Sequence, residues 1–215
     1  MIPVALFTRP PVPGRCKTRL AAAVGEVVAA SLHAAFVKDV VATVARLPGT
    51  AAALHVTEGP DHELFESLRP AHGLGPTVVQ RAGGLGDRMA DALQDVSFVV
   101  GTDVPTLPVS ILAEAFACSA DVVLTPTADG GFALIGARSA SFLRDPAIRW
   151  SSPHALADTV RAARRAGLGV GLTAPHHDVD GPDDLALVRT HLRLDRGLAP
   201  HTRAVLGIER DVFRF

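Results

Sequence analysis

The segment Gly101-Thr102-Asp103-Val104-Pro105 follows the apolar run 96–100, so a carboxylate is delivered where a buried strand emerges and must turn. In open α/β folds that carboxyl edge of the sheet is where ligands bind. Pro105 ends the strand and stiffens the turn. A hard divalent cation takes oxygen ligands and commonly only one or two carboxylates, which leaves positions for water and substrate phosphates. Asp103 is therefore the candidate metal ligand, for Mg2+ or Mn2+. The plain alternative is a turn or a helix cap, both of which aspartate serves.

A second chemistry lies between Arg9 and Arg19, where Pro10, Pro11, Pro13, Gly14 and the basic residues Arg9, Arg15, Lys17 and Arg19 share one connection from strand to helix. Prolines reduce the conformations frozen on binding, Gly14 lets the backbone approach a ligand, and Arg15, Lys17 and Arg19 supply charge for a di- or triphosphate. The helix N-terminus behind the loop adds oriented N–H groups. Lys17 and Lys38 are the chain's lysines among 21 basic residues, so a lysine at 17 stands out. The spacing is not that of a Walker A loop. A solvated basic turn is the alternative, at the cost of repulsion between neighbouring cations.

Two glycine-rich turns and an acidic one complete the candidate site. Gln80 to Met89 holds Gly83, Gly84 and Gly86; its glycines permit close approach to a base or ribose, and Gln80 offers a donor and acceptors to a base edge. Ordinary turn duty is the competing role, with Asp87 as a helix cap. Asp129, Gly130 and Gly131 lead into an apolar strand and expose a carboxylate and free N–H groups to the hydroxyls of an acceptor, or else form a hairpin turn. Asp178, Asp180, Asp183 and Asp184 crowd one segment; extended alternation sends Asp178 and Asp180 to the same side, and Asp180 is the expected second metal ligand. Asp183 and Asp184 suit the first turn of a helix. His176 and His177 are expected to be solvated.

The elements that must position these residues alternate between extended and helical patterns, which predicts an α/β fold with a mostly parallel sheet. Strands are expected at Ile2–Thr8, 51–56, 77–79, 96–100, 121–125, 131–136 and 170–173. Helices are expected at 26–47, 62–68, from the glycine turn through Leu93, at 109–117, at 153–166 and from 185 to about 194. Val28, Leu32, Phe36, Val40 and Val44 recur at helical spacing on one face of the first of these helices. With 215 residues and no linker or repeat, a single domain spanning 1–215 is expected.

The net charge of −1 gives no field that would recruit nucleic acid or an anionic membrane. No apolar stretch reaches the roughly 18 uninterrupted residues of a membrane span. The N-terminus lacks a basic leader, so a cytoplasmic protein is expected. Cys16 and Cys118 form no metal or disulfide pattern and are expected to be packing residues.

Taken together, Phe7-Thr8-Arg9-Pro10-Pro11-Val12-Pro13-Gly14-Arg15-Cys16-Lys17-Thr18-Arg19-Leu20, Gly83 to Met89, Gly101 to Leu107 and Asp129 to Gly136 resemble the bacterial glycosyltransferase-like DUF2064 family, some of whose members are assigned to arsenosugar biosynthesis. The chain departs from the family pattern at Phe132 and Ala133, where relatives carry tyrosines. The resemblance implies a three-layer α/β/α fold of the GT-A, or nucleotide-diphospho-sugar transferase, type. Such glycosyltransferases typically use a D-x-D motif; Gly101 leaves this chain a reduced version, so a second ligand must come from elsewhere.

The function expected is metal-dependent transfer from a nucleotide-activated substrate, glycosyl transfer first, with a small-molecule acceptor. Asp103, Asp129 and Lys17 are the expected catalytic residues. Arg9, Gly14, Arg15, Lys17, Thr18, Arg19, Gln80, Gly83 and Gly86 are expected on the nucleotide, and Asp129, Gly130 and Gly131 on the acceptor. Nucleotidyl transfer to a phosphorylated acceptor and a non-catalytic nucleotide sensor are the alternatives. Catalysis would be positional and electrostatic.

Overall fold

A computed structural model of the protein describes residues 1–208. Strand β1 (Ile2–Thr8) lies at the centre of the sheet, and its Val4, Ala5 and Leu6 are fully buried on both faces, as a near-continuous apolar run requires. Helix α1 (Thr18–Val24) and helix α2 (Glu26–Ala45) follow, separated by Gly25 in a left-handed conformation that only glycine adopts freely. Helix α2 stops before Pro48 and Gly49, close to the expected end.

Strand β2 (Thr50–Val56) leads to α3 (Glu63–His72). The His62 ring caps α3 by accepting from the Leu64 N–H at 3.2 Å. This helix runs four residues past its expected end, through Pro70, until Gly73, left-handed, closes it with Leu74 N–H on the Arg69 carbonyl. Then come β3 (Val78–Val79), α4 (Leu85–Ala92), β4 (Phe98–Gly101), α5 (Val109–Ala117), β5 (Val122–Pro126), β6 (Phe132–Ala137), a 3-10 turn at Ser141–Arg144, α6 (Ala155–Arg165), β7 (Val170–Leu172), α7 (Pro182–Leu194) and α8 (Pro200–Val205).

The seven strands pair in the order β3-β2-β1-β4-β6-β5-β7, and only β6 runs antiparallel to its neighbours. Leu6 pairs with Leu54 on one side and Val100 on the other. This register brings Thr8, Val56 and Gly101 to one edge of the sheet. The start of β6 joins that edge because a hairpin turn returns the chain from β5.

One core cluster packs α2, α3 and α5 on one face of the sheet, with Val40, Phe65 and Leu112 fully buried. A second packs α4, the 3-10 turn and α6 on the other face, around Ile135 and Leu143. The result is the three-layer arrangement expected. A third cluster joins α1, α2, α7 and α8 through Leu20, Phe36, Val188 and Leu192, so α2 is buried on two sides. That is why α2 is long and apolar enough to cross a membrane by length and composition, yet most of it is buried within the protein. Val28 departs from the expected buried face and is exposed near the start of α2. Helix α8 was not legible in the sequence; it is held by Asp39, buried within α2, which accepts from the backbone N–H groups of His201 and Thr202 at 3.0 and 2.8 Å and from the Thr202 hydroxyl at 2.6 Å.

Candidate functional site

The carboxyl edge of the sheet opens into a cavity of about 490 Å³. Its walls follow the strand order. Gln80 lies after β3, Thr57 after β2, Arg9 to Arg19 after β1, Asp103 after β4, Phe132 and Gly131 at the start of β6, Asp129 and Thr127 after β5, and Asp178 and Asp180 beyond β7. With about 4.8 Å between adjacent strands, the two ends of this row are separated by far more than one side chain's reach.

At the centre stands Lys17. Its ammonium lies 2.8 Å from Asp103 Oδ1 and 2.9 Å from Asp180 Oδ1, and only 5% of the side chain is exposed. Arg19 grips the other Asp180 oxygen at 2.6 Å. Lys17 sits directly before α1 with φ 48° and ψ 46°, a left-handed conformation disfavoured for a lysine and held by its surroundings. Behind Asp103 stands His33, on α2 and 3% exposed, with Nδ1 3.6 Å from Asp103 Oδ1 and Nε2 3.0 Å from the Arg9 carbonyl. The basic turn and Asp103 therefore share one site. The chain segment 178–180 is held beside it by the Val179 N–H, which donates to the Asp103 carbonyl at 2.9 Å. Val179 is fully buried on the core side, so alternation turns Asp178 and Asp180 to the cavity.

The electrostatics follow from these contacts. Burial works against ionisation of Asp103, but Lys17 and His33 outweigh it and hold the carboxyl well below the usual range. The Asp103 side chain is still 44% exposed, facing cavity solvent, and Lys17 and His33 both approach the same oxygen, leaving Oδ2 free of them. Burial alone would lower the Lys17 pKa; Asp103 and Asp180 overcome it and raise it, so the ammonium stays charged. Asp178 is different. Burial, with Asp129 and Asp180 nearby, pushes its carboxyl up to about 6, and among the described residues no basic side chain forms an ion pair with it.

Ten of the residues singled out from the sequence line the cavity: Arg9, Lys17, Thr18, Arg19, Gln80, Asp103, Asp129, Gly131, Asp178 and Asp180. Five others do not. Arg15 turns away to Glu58, with Nη2 on both carboxylate oxygens at 2.8 and 2.7 Å. Gly14, at φ 76°, makes a turn against the Glu26 carboxylate. Gly83, at φ 125°, serves the turn into α4, where Asp87 accepts from the Gly84 N–H at 3.0 Å. Gly130 packs against the backbone of Pro153, where a Cβ would lie 2.2 Å from a carbonyl oxygen. Gly86 packs rather than binds: a Cβ there would meet the Leu143 carbonyl at 2.2 Å and the Trp150 indole at 2.8 Å. Gly86→Ala is accordingly expected to lower stability by roughly 2 kcal/mol or more, through overpacking against backbone, measured by chemical denaturation.

Asp129 makes the expected turn and also lines the cavity. The turn Thr127–Gly131 closes the β5–β6 hairpin, and Asp129 Oδ1 accepts from the Thr127 hydroxyl at 2.6 Å and the Gly131 N–H at 2.9 Å. Gln80 donates from Nε2 to the His55 carbonyl at 2.7 Å, which orients its amide.

Several lining residues were not singled out from the sequence. His33 is hidden among apolar residues of α2. Trp150, edge-on to Phe132 at 6.3 Å, comes from an irregular connection, and Arg88 lines the wall from α4 while its Nε donates to the Gly83 carbonyl. A Trp before a helix and an Arg after a glycine turn were the available signals, and neither specifies direction.

His176 and His177 are not solvated. Their rings meet tilted at 4.4 Å, His177 meets His191 edge-on at 4.7 Å, and the Thr106 hydroxyl lies 3.0 Å from His176 Nε2. The correction has a physical cause: the 176–180 segment docks along the β5 edge, with His176 N–H on the Pro126 carbonyl. Burial, followed by the neighbouring histidines, lowers the His176 pKa to about 4. Because the folded pKa lies below that of the unfolded chain, the native state binds fewer protons between those values. Stability is expected to be fully present above about pH 6.5 and to fall as the pH drops toward 4, with His176→Gln flattening that slope in melts across the range.

Among the described residues, no set of three or more His, Cys, Asp or Glu side chains is arranged to hold a metal ion. The oxygens that remain suit a hard cation bound by few protein ligands: Asp103 Oδ2 and the unpaired Asp178. Asp180 suits it less, since both its oxygens already hold cations.

In overall shape the chain is similar to a protein from Desulfovibrio desulfuricans G20, provisionally described as a nucleotide-diphospho-sugar transferase. It is 29% identical, the alignment covers 97% of this chain and 95% of that one, and the TM-score is 0.82. Looser likenesses are to CMP:2-keto-3-deoxy-manno-octonic acid synthetase in complex with CTP, 13% identical over 90% of this chain and 99% of that one at a TM-score of 0.48, and to 4-diphosphocytidyl-2C-methyl-D-erythritol synthase, 15% identical over 90% and 98% at 0.49. No curated protein matches the sequence significantly. Residues 40–152, just over half of the chain, match the sequence profile of DUF2064, described as an uncharacterized protein conserved in bacteria, and the chain belongs to that family.

Proposed function

We propose that the protein is a transferase acting on a nucleotide-activated substrate, and that it moves a glycosyl group from a nucleotide sugar to a small acceptor. One observation carries the reading: a cationic turn and an acidic pair meet in one cavity at the carboxyl edge of the sheet, with Lys17 within 3 Å of both Asp103 and Asp180. The likeness to a protein described as a nucleotide-diphospho-sugar transferase supports it.

In this reading Arg9, Lys17 and Arg19 hold the diphosphate, and Gln80, farther along the strand order, faces the base. Asp103 and Asp178, rather than Asp180, hold Mg2+ or Mn2+; the bound cation would offset charge on the departing diphosphate. Asp129, its Oδ1 fixed by Thr127 and Gly131, takes the proton of the acceptor hydroxyl through its other oxygen. The bond formed joins that hydroxyl oxygen to the anomeric carbon, and the bond broken joins the anomeric carbon to the diphosphate oxygen.

The cationic turn also favours a second reading, nucleotidyl transfer, in which an acceptor phosphate attacks an NTP and pyrophosphate leaves. An assay supplying UDP- and GDP-sugars with neutral acceptors, alongside NTPs with sugar phosphates, separates the two. Nucleoside diphosphate release is the expected result. Pyrophosphate release alone overturns glycosyl transfer, and tight nucleotide binding without turnover points instead to a sensor.

A further inference from the structure

The half of the cavity beyond Asp103 differs in chemistry from the half that carries the basic turn. Its walls are the hydroxyl of Thr127, the carboxylates of Asp129 and Asp178, and the rings of Phe132 and Trp150. We infer that this end is a subsite for an uncharged, hydroxyl-bearing ring that lies on the indole of Trp150, hydrogen-bonds to Asp129, and cannot be replaced by a phosphorylated acceptor. The inference rests on the nucleotide-sugar transferase reading and names the acceptor class within it.

Three features support it. First, the indole is a fixed platform. Phe132 meets it edge-on at an interplanar angle of 71°, and the α4 backbone at Gly86 comes so close that no Cβ would fit. The connection that carries Trp150 is pinned at both sides: Arg149 clasps the buried Asp158 through Nε and Nη2 at 2.8 and 3.0 Å, Arg165 pairs with Asp145 at 2.6 Å, and Arg144 ties the preceding turn to Asp87 and Asp91 at 2.9 and 2.7 Å. A platform ordered before the ligand arrives loses little entropy on binding.

Second, the polar groups suit hydroxyls. An ionised carboxylate only accepts hydrogen bonds, so Asp129 selects O–H donors, while an aromatic face takes the C–H face of a sugar ring. Third, the charge is wrong for a phosphate. Of the basic side chains on the cavity wall, Arg9, Lys17 and Arg19 belong to the turn after β1, and Arg88 is tied to the Gly83 carbonyl in the connection after β3. Asp129 is held only by the neutral donors Thr127 and Gly131, with no ion-pair partner among the described residues, and an acceptor phosphate beside it would meet like charge.

Trp150 is the sole tryptophan in a chain without tyrosine, so its fluorescence reports on this subsite. The test titrates the full-length protein, with Mn2+ and saturating UDP or GDP, against methyl glucoside and methyl mannoside and, separately, glucose 1-phosphate and mannose 1-phosphate. A saturable fluorescence change with a neutral glycoside and none with the phosphates is expected. By calorimetry, Trp150→Ala should weaken neutral-glycoside binding by about tenfold while UDP or GDP affinity stays within about twofold, with Trp150→Phe intermediate. If Trp150→Ala fails to fold, Trp150→Phe and Asp129→Asn carry the same comparison. Tighter binding of the sugar phosphates, or no loss on removing the indole, overturns the subsite. A protein that binds UDP or GDP but no neutral glycoside also overturns the subsite alone, whereas one that binds no nucleoside diphosphate overturns the underlying reading.

Discussion

Asp103→Asn is expected to lower turnover by roughly a hundredfold or more while leaving the fold intact. The substitution keeps the shape and removes the charge. Lys17 still reaches Asp180 at 2.9 Å, so the ammonium is not orphaned, and Asp103 contributes its carboxylate to the cavity rather than to the apolar core. Thermal melts should shift down only modestly: the pairing that holds the Asp103 carboxyl below its usual range is lost, but the group is partly exposed. Calorimetric titration with nucleotide and Mn2+ measures the binding side of the effect, and steady-state assays the catalytic side. Affinity and rate that match the wild type would remove Asp103 from the site. Asp178→Asn and Asp180→Asn extend the comparison: loss of Mn2+ dependence in the first but not the second supports Asp178 as the second ligand.

Lys17→Met is expected to damage both stability and nucleotide binding. Its methylenes are matched, but Asp103 Oδ1 and Asp180 Oδ1 lose the cation between them. Removing one partner of a fully buried ion pair costs about 3–5 kcal/mol. Here Asp103 and Asp180 are 44% and 32% exposed, so water takes over part of the ammonium's role. A loss of about 1–3 kcal/mol is the scaled expectation, read from denaturant unfolding. Nucleoside diphosphate affinity should fall by roughly ten- to a hundredfold through the lost phosphate contact. The double variant Lys17→Met, Asp103→Asn discriminates the two effects. It should regain part of the stability, because one of the unpaired charges is gone, but none of the binding. Independent, additive losses in stability would mean that Lys17 and Asp103 are not coupled. Lys17→Arg should not substitute fully, since a planar guanidinium cannot take the place of a compact ammonium between two single oxygens.

Much of the frame was legible in the residues because it depends on local pattern. Strand β1 and helix α5 begin and end where the apolar runs and the flanking prolines and glycines put them. The delivery of Asp103 to the sheet edge follows from an apolar strand that ends at Gly101. The paired orientation of Asp178 and Asp180 follows from extended alternation around a buried Val179. Family membership was legible for the same reason, since it resides in short motifs.

Other features were decided by contacts between distant parts of the chain. Whether a basic side chain faces a ligand or a carboxylate depends on what folds beside it: Arg15 meets Glu58, while Lys17 meets Asp103 and also Asp180, 163 positions away. Glycine turns look alike in sequence, yet Gly86 exists to admit an indole and Gly130 to admit the backbone of Pro153. His33 reads as one more residue of an apolar helix until α2 packs against the sheet and sets it behind Asp103.

Local sequence thus determined most of the elements and which end of each carries the reactive groups, since backbone propensity and hydrophobic period act over a few residues. The tertiary structure alone decided which charges neutralise one another, that β6 runs against its neighbours, and that Trp150 reaches the cavity. Ion pairing and packing act through space, and their partners are chosen only when the layers close.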